Sequence, residues 1–438
     1  MARKLFGTDG VRGAAGEFLT AELALALTRA ATARVDGEAP RVLVIRDTRE
    51  SGEMLEAAVA AGVAAAGGEA LLGGVLPTPG APLLVRRYGF DLGVVLSASH
   101  NPYRDNGIKF FGGDGYKLSD EIELEIERAL EGPSPTGGRI GRVRRFHGAL
   151  EDYLRALHER FAGLDLSGRR IVLDCANGAT YRAAPEIFRR LGAEVDALAA
   201  EPDGRNINAG CGSTHVEALV EAVRAGRHDV GFAFDGDGDR TLAVDRHGTV
   251  VDGDELIALA ALHVRDQGRL RGGGVAVTVM TNYGFHIAMR RAGVEVVTTP
   301  VGDRYVLEAL RERSWALGGE QSGHIIDMGF VPSGDGIASA LLTMEALDGR
   351  DLAERAAMEK LPQKLVNVRV PDGGALAEAD GVRAAVEREA ARLAGRGRVL
   401  LRPSGTEPVV RVMVEAPAVE EVEAVCERLV AAVESAVA

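Results

Sequence analysis

Two short segments, far apart in the chain, share one pattern. Asp91-Leu92-Gly93-Val94-Val95-Leu96 and Asp229-Val230-Gly231-Phe232-Ala233-Phe234 match residue type for residue type. Each is an apolar run that stops abruptly at small polar residues, which reads as a buried strand ending in a loop. Such an echo predicts a duplicated unit. The flanking sequence has the same grammar: helical apolar spacing over Leu19 to Ala33 and Glu53 to Ala66 alternates with strands at Arg41 to Ile45 and Glu69 to Leu76. That alternation is βαβ, which implies a mostly parallel sheet covered by helices. A second cycle starts near Arg170, and a third runs from Gly274 to Leu317. From about Leu365 the pattern changes to three strands and two helices, a smaller α+β domain.

The expected fold is therefore α/β. Three similar α/β domains with mixed, mostly parallel sheets, plus a smaller C-terminal α+β domain, surround a central cleft. The expected divisions are 1–150 (carrying a serine loop), 151–253 (a metal loop), 254–362 (a sugar loop) and 363–438 (a phosphate loop), with Lys360-Leu361-Pro362 as a hinge.

At 438 residues the chain is too long for one compact core. Its net charge of -13 argues against a nucleic-acid or membrane-surface binder, since both partners are anionic. A small anionic substrate fits only if its site is locally basic. Three distant cysteines, Cys175, Cys211 and Cys426, suggest neither a disulfide framework nor a zinc cluster. There is no apolar signal core and no membrane-spanning run, so a cytoplasmic protein is expected. Only five lysines occur, among them Lys109 and Lys117.

Four loops carry chemistry. The first, Ser97-Ala98-Ser99-His100-Asn101-Pro102, follows a buried strand, and ligands of open α/β sheets bind just outside the strands' carboxyl ends. The second, Asp235-Gly236-Asp237-Gly238-Asp239-Arg240, sets three carboxylates at alternate positions, hard oxygen ligands suited to Mg²⁺. A calcium-binding EF-hand fails because Arg240 and Arg246 stand where it needs Gly and Glu. The third, Gly318-Gly319-Glu320-Gln321-Ser322-Gly323-His324, mixes acceptors and donors suited to sugar hydroxyls. The fourth, Arg402-Pro403-Ser404-Gly405-Thr406-Glu407-Pro408, with Arg411 on the next strand, has the makings of a phosphate clamp. A hydroxyl, a cation loop, a polyol reader and a phosphate clamp together specify phosphoryl transfer on a sugar phosphate.

Those loops, with Phe6-Gly7-Thr8-Asp9-Gly10-Val11-Arg12-Gly13, Arg46-Asp47-Thr48-Arg49 and Asp174-Cys175-Ala176-Asn177-Gly178-Ala179, make the chain resemble the α-D-phosphohexomutases over essentially its whole length. Cys211-Gly212-Ser213-Thr214-His215, Pro300 to Tyr305 and Gln321 are similar to the branch acting on glucosamine phosphates. Phe330-Val331-Pro332-Ser333 departs from the family's usual Thr-Thr before Gly334-Asp335-Gly336.

The resemblance implies a phosphotransferase of the isomerase class, feeding amino-sugar nucleotide and cell-wall precursor synthesis. Glucosamine 6-phosphate and glucosamine 1-phosphate would interconvert through a phosphoryl group on Ser99 and a 1,6-bisphosphate. One Mg²⁺ would be held by Asp235, Asp237, Asp239 and a phosphoserine oxygen. Lys109 is the first acid/base candidate, a purely electrostatic role being as plausible, with His100 and His324 behind it. Glu320, Ser322, His324, Arg240 and Arg12 are expected to bind substrate, and Arg402, Ser404, Gly405, Thr406 and Arg411 its phosphate. Ser97 is the rival phosphorylation site. The alternatives are a phosphoglucomutase or phosphomannomutase of the same family, or a non-catalytic sugar-phosphate binder. The expected partner is a small hexosamine phosphate, with no nucleic acid and no membrane, for a monomer or homodimer.

Overall fold

The structure is a computed structural model and describes residues 4–132, 139–370, 379–403 and 408–437. The chain divides into two compact units, residues 1–279 with 297–355, and residues 280–296 with 356–438.

The first unit contains two sheets and, apart from Glu295 and Val296, a third. The strands of sheet one are β1 (Val11–Ala14), β2 (Arg41–Arg46), β3 (Glu69–Val75), β4 (Leu92–Leu96), β5 (Asp105–Gly112) and β6 (Arg142–Arg145), in the order β1-β5-β4-β2-β3-β6. Sheet two has β7 (Arg170–Asp174), β8 (Glu194–Leu198), β9 (Val230–Phe234), β10 (Thr241–Asp245) and β11 (Val250–Val251), in the order β11-β10-β9-β7-β8. Sheet three has β12 (Gly274–Thr278), β13 (Glu295–Thr299), β14 (Leu317–Gly319) and β15 (Ile325–Asp327), in the order β13-β12-β14-β15.

One arrangement recurs in all three. A parallel strand (β4, β9 or β14) turns directly into an antiparallel neighbour (β5, β10 or β15), while its other edge pairs in parallel with β2, β7 or β12. The serine, metal and sugar loops are the turns of these three hairpins. Helices cover the sheets, and strands β4 and β9 are buried at every position. Burial on both faces explains their continuous apolar runs.

The mixed, mostly parallel sheets agree with the expectation, but the antiparallel partners β5, β10 and β15 were not placed from the sequence. β5 begins with Asp105-Asn106-Gly107 and is buried through its middle, so it shows neither apolar alternation nor a clean apolar run. The helices Gly253–Asp266 and Gly336–Leu347 were also missed. The second is buried at nearly every position, which removes the one-sided periodicity that marks a surface helix. Asp335 caps it, its Oδ1 accepting from the Ala338 N–H at 2.9 Å.

The second unit carries β16 (Gln363–Arg369), β17 (Arg398–Pro403) and β18 (Val409–Glu415), an antiparallel sheet ordered β16-β18-β17. Its core joins Val410, Val412 and Val414 to Val425, Leu429 and Val433 of the helix Val419–Val437, the small α+β domain expected. Among the described residues no helix is long and apolar enough to cross a membrane.

Candidate active site

Ser99 lies in the β4–β5 turn with φ at 53°, the left-handed region that a non-glycine residue seldom occupies. Such a conformation costs about 1–3 kcal/mol and persists only where its surroundings impose it. Here they do. The Ser99 carbonyl accepts from Arg49 Nη2 and from Asn208 Nδ2, each at 2.9 Å. The Ser99 N–H donates to Ser97 Oγ at 2.9 Å, and Ser97 Oγ donates to Asp47 Oδ2 at 2.6 Å. Asp47 in turn pairs with Arg49 Nε at 2.8 Å, both side chains being almost wholly buried. Burial pushes the Asp47 carboxyl up despite this partner.

The two serines thus have different positions. Ser97 Oγ is engaged on both sides inside the turn, whereas Ser99 Oγ donates to Asp235 Oδ2 at 2.5 Å and lies 3.3 Å from His100 Nδ1. Burial, then the nearby Arg240 and Arg12 charges, pull His100 down to about 4, so its ring is neutral near pH 7.

The metal loop is the β9–β10 turn. One carboxylate oxygen from each of Asp235, Asp237 and Asp239 lies within 4.8 Å of the others, and all three residues are buried. Asp237 Oδ1 and Asp239 Oδ1 are buried with no hydrogen-bond partner among the described residues. Burial and mutual repulsion hold Asp235 well above the usual carboxylate range and also raise Asp239. For Asp237 burial is outweighed by Lys109, which holds the group below that range. Orphaned buried oxygens on crowded carboxylates are the donor set of a hard divalent cation, so these residues fit Mg²⁺.

The turn is set by backbone contacts. A Cβ on Gly236 would lie 2.6 Å from the Ser99 carbonyl oxygen, and one on Gly178 would lie 2.3 Å from the Gly236 carbonyl oxygen. The Asp174 loop, the metal turn and the serine turn are therefore stacked with no space for a methyl between them. Thr78 fastens the other side, its N–H donating to the Asp237 carbonyl at 2.8 Å and its Oγ1 to Asp237 Oδ2 at 2.6 Å.

Lys109, on β5, is almost completely buried, with Nζ 2.7 Å from Asp237 Oδ2, 2.8 Å from Asp9 Oδ2 and 4.0 Å from Asp239 Oδ2. Burial would lower its pKa, but the surrounding carboxylates prevail and raise it, fixing a cation. Asp9 also pairs with Arg12 and Lys117, and Lys117 reaches Asp303. His324 Nε2 stands 3.7 Å from Asp303 Oδ2 and 3.8 Å from Asp239 Oδ2, and its Nδ1 is buried without a partner.

The structure brings the β14–β15 turn to the metal loop, where Arg240 and His324 form a bridge and Thr241 N–H donates to the Gly323 carbonyl at 3.0 Å. Arg240 N–H donates to Asp235 Oδ1 at 3.2 Å, and Arg240 Nε, like Arg12 Nε, is buried without a hydrogen bond. Glu320 Oε1 accepts from the Gly302 N–H at 3.1 Å, and Ser322 is exposed. In the second unit, Arg402 and Arg411 face each other in the β17–β18 register. Ser404, Gly405 and Thr406 lie outside the described residues.

Sequence reasoning assigned no site role to the supporting shell of Asp9, Lys117, Asn208 and Asp303, and did not single out Thr78. One signal could have found part of it. Two of only five lysines, Lys109 and Lys117, meet on Asp9.

Four domain models of one family match in succession. They are described as phosphoglucomutase/phosphomannomutase alpha/beta/alpha domains I, II and III, at residues 3–135, 151–248 and 252–365, and the C-terminal domain, at residues 365–432. The chain belongs to this family. Relatives named phosphoglucosamine mutase include one from Moorella thermoacetica, 53% identical over 430 residues covering 96% of this chain and 97% of the relative. Another, from Mycobacterium bovis, is 52% identical over 447 residues, covering 99% of each. Among solved structures, a phosphoglucomutase/phosphomannomutase family protein from Burkholderia thailandensis matches with a TM-score of 0.83 at 23% identity, over 99% of this chain and 98% of that one. An N-acetylphosphoglucosamine mutase from Aspergillus fumigatus, in complex with GlcNAc-6P and magnesium, matches with a TM-score of 0.69 at 18% identity, over 100% and 96%. These two structural likenesses bear on the mutase fold alone.

Proposed function

We propose that this member of the family is a phosphoglucosamine mutase, interconverting glucosamine 6-phosphate and glucosamine 1-phosphate through a phosphorylated Ser99. The observation that carries the reading is the Ser99 hydroxyl, 2.5 Å from the first carboxylate, Asp235, of a three-aspartate turn. Full-length relatives about half identical and named for this activity support the choice of sugar.

Asp235, Asp237 and Asp239, with one oxygen of the phosphorylated Ser99, would hold Mg²⁺, which when bound supplies positive charge against the phosphoryl oxygens. The chain's own residues do the rest. In the forward step the phosphoryl group leaves Ser99 Oγ for O1 of glucosamine 6-phosphate: the Oγ–P bond breaks and Oγ takes up a proton, while the O1–P bond forms and the O1 proton passes to a base. The resulting 1,6-bisphosphate turns end for end and returns its 6-phosphoryl group to Ser99: the O6–P bond breaks and O6 takes up a proton, the Oγ–P bond reforms with loss of the Oγ proton to the base, and glucosamine 1-phosphate leaves.

His100 and His324 suit the proton transfers: His100 is neutral and beside Ser99 Oγ, and His324 has a free buried Nδ1. Lys109, enclosed by Asp9, Asp237 and Asp239, suits the electrostatic role better than proton transfer. Arg12 and Arg240, each with a buried Nε lacking a hydrogen bond, suit phosphate oxygens. Glu320 and Ser322 would grip hydroxyls, and Arg402, Ser404, Gly405, Thr406 and Arg411 the phosphate that is not reacting. The boundaries 1–150, 151–253, 254–362 and 363–438, a cytoplasmic location and a monomer or homodimer complete the proposal.

Phosphorus NMR on purified protein with Mg²⁺ and, in parallel, glucosamine, glucose and mannose 6-phosphates tests it. The expected result is fastest turnover of the glucosamine ester. Faster glucose or mannose turnover would assign the chain to the phosphoglucomutase or phosphomannomutase reading, and no turnover of any would leave a sugar-phosphate binder.

A further inference from the structure

An open cleft of about 1260 Å³ lies in the first unit, away from the Ser99 turn and the aspartate cluster. Its floor is the end of β2 and β3, and one wall is the helix Thr180–Arg190. The floor is irregular. The β2–β3 register slips between Val44 and Ile45, so Gly73 has no partner on β2, and Gly74, at φ 76°, faces open space where a Cβ would meet nothing within 4 Å. The slip sets Gly73, unpaired with β2, and Gly74 in the floor of the cleft.

The lining carries five arginines, Arg46, Arg145, Arg182, Arg189 and Arg190, against four glutamates, Glu53, Glu56, Glu151 and Glu186, a small positive excess in a protein of net charge -13. Arg190 is fully engaged by Glu151 and Glu186 at 2.8 Å. Arg46 pairs with Glu53 at 3.1 Å and Glu56 at 3.8 Å, whereas Arg145, Arg182 and Arg189 make no ion pair among the described residues, Arg189 Nη2 donating only to the Val195 carbonyl at 3.2 Å. Arg182 and Arg189 are seven residues apart on one helix, hence on one face and about 10.5 Å apart along its axis. Two guanidinium groups at that spacing, with Arg145 lining the same cleft from another element, suit an elongated polyanion rather than a single phosphate. The Arg182 guanidinium lies over the half-buried ring of Tyr181, 5.0 Å from its centroid, and this flat pair is the place for a base.

Each wall runs on, within a few residues, into the Ser99 and Asp237 turns. Arg46 precedes Asp47 and Arg49, which clamp the serine turn. Val75 is followed at Thr78 by the two hydrogen bonds that fasten Asp237. The helix Thr180–Arg190 begins beside Ala179, whose N–H donates to the Gly236 carbonyl at 2.8 Å.

We propose that this cleft is a second binding site, for a nucleoside diphosphate, and that its walls couple occupancy to the Ser99 and Asp237 turns. Its coupling arm rests on the mutase reading above; its binding arm does not. Calorimetric titration of the full chain with UDP and with ADP, without divalent cation, tests the binding. The expected result is saturable binding of at least one, undisturbed by saturating glucosamine 6-phosphate, weakened at least tenfold, about 1.4 kcal/mol, in the double variant Arg182→Glu with Arg189→Glu. Arg145→Glu, on an exposed strand, is an independent variant expected to weaken it in the same direction.

The nucleotide should also change wild-type turnover about twofold or more, while the double variant keeps its basal turnover and loses the response. No binding at millimolar nucleotide, displacement by glucosamine 6-phosphate, or unchanged affinity in both variants would overturn the site. Equal affinity for inorganic pyrophosphate would overturn its assignment to a nucleotide. Binding without any change in turnover would overturn the coupling alone, and an enzyme inactive on every hexose phosphate would instead count against the mutase reading.

Discussion

The serine turn and the aspartate turn occupy the same place in two copies of one design, and they solve opposite problems. Both cap a buried parallel strand, β4 or β9, before an antiparallel return. At the end of the neighbouring strand each sheet places an aspartate, Asp47 or Asp174, whose Oδ1 accepts a backbone N–H two residues on. The second oxygen then differs. In Asp47 it serves Ser97 and Arg49, locking a strained turn around one hydroxyl. In Asp174 it accepts the Gly212 N–H, leaving the metal turn to be shaped by glycines. The topology fixes where a turn stands, and a handful of local hydrogen bonds decide what it presents.

The largest effect that could break this comparison is on chemistry. Ser99→Ala should reduce turnover by at least about a thousandfold, because the group that accepts the phosphoryl is gone. Mass spectrometry of the native protein should find one phosphopeptide containing Ser99, and phosphate confined to Ser97 would exchange the two serines' roles. Asp237→Asn should abolish Mg²⁺-dependent turnover, and activity undiminished by a chelator would remove the metal role from the turn.

The next effect is on stability. Arg49→Met strands Asp47 as a buried carboxylate and leaves Asn208 alone to hold the Ser99 carbonyl, with an expected loss of about 3–5 kcal/mol in denaturant unfolding. An equal loss in Asp174→Asn would show that the two aspartates are alike after all. Gly236→Ala probes the seam between the turns. Its methyl meets the Ser99 carbonyl and the Asn208 amide as well as Ile207 Cδ1, and the first two are held by hydrogen bonds, so a loss of about 1–3 kcal/mol and a fall in turnover are expected.

The smallest effect is a pH slope. Burial raises Asp335 to about 7, against hydrogen bonds from Ala338 and Tyr153 that hold it down. The folded state therefore binds its proton more tightly than the unfolded chain, so this group's stabilisation is complete at acid pH and is lost as pH rises toward 7. Asp335→Asn should flatten that decline, read as the difference in midpoint between variant and parent from pH 4 to 8.

The sequence made the strands and turns of the repeated sheets legible because β4 and β9 are buried on both faces and end sharply. β5, the helix Gly80–Tyr88 with its internal Pro82, and the all-round buried helix Gly336–Leu347 lacked any such periodic mark. The three aspartates were legible because their ligand spacing is local. Asp9, Lys117 and Asp303 were not, since the ion pairs that join them link residues more than a hundred positions apart. Lys109 was read from its place after the serine turn, and its three carboxylate neighbours could be seen only in space.

The contact between Gly236 and the Ser99 carbonyl has a kinetic corollary. With no clearance at that seam, the nucleophile's carrier and the cation's cradle must travel as one rigid piece. Entry and reversal of a bulky sugar must then depend on motion elsewhere in the molecule, while the distance over which the phosphoryl group jumps stays the same from one turnover to the next.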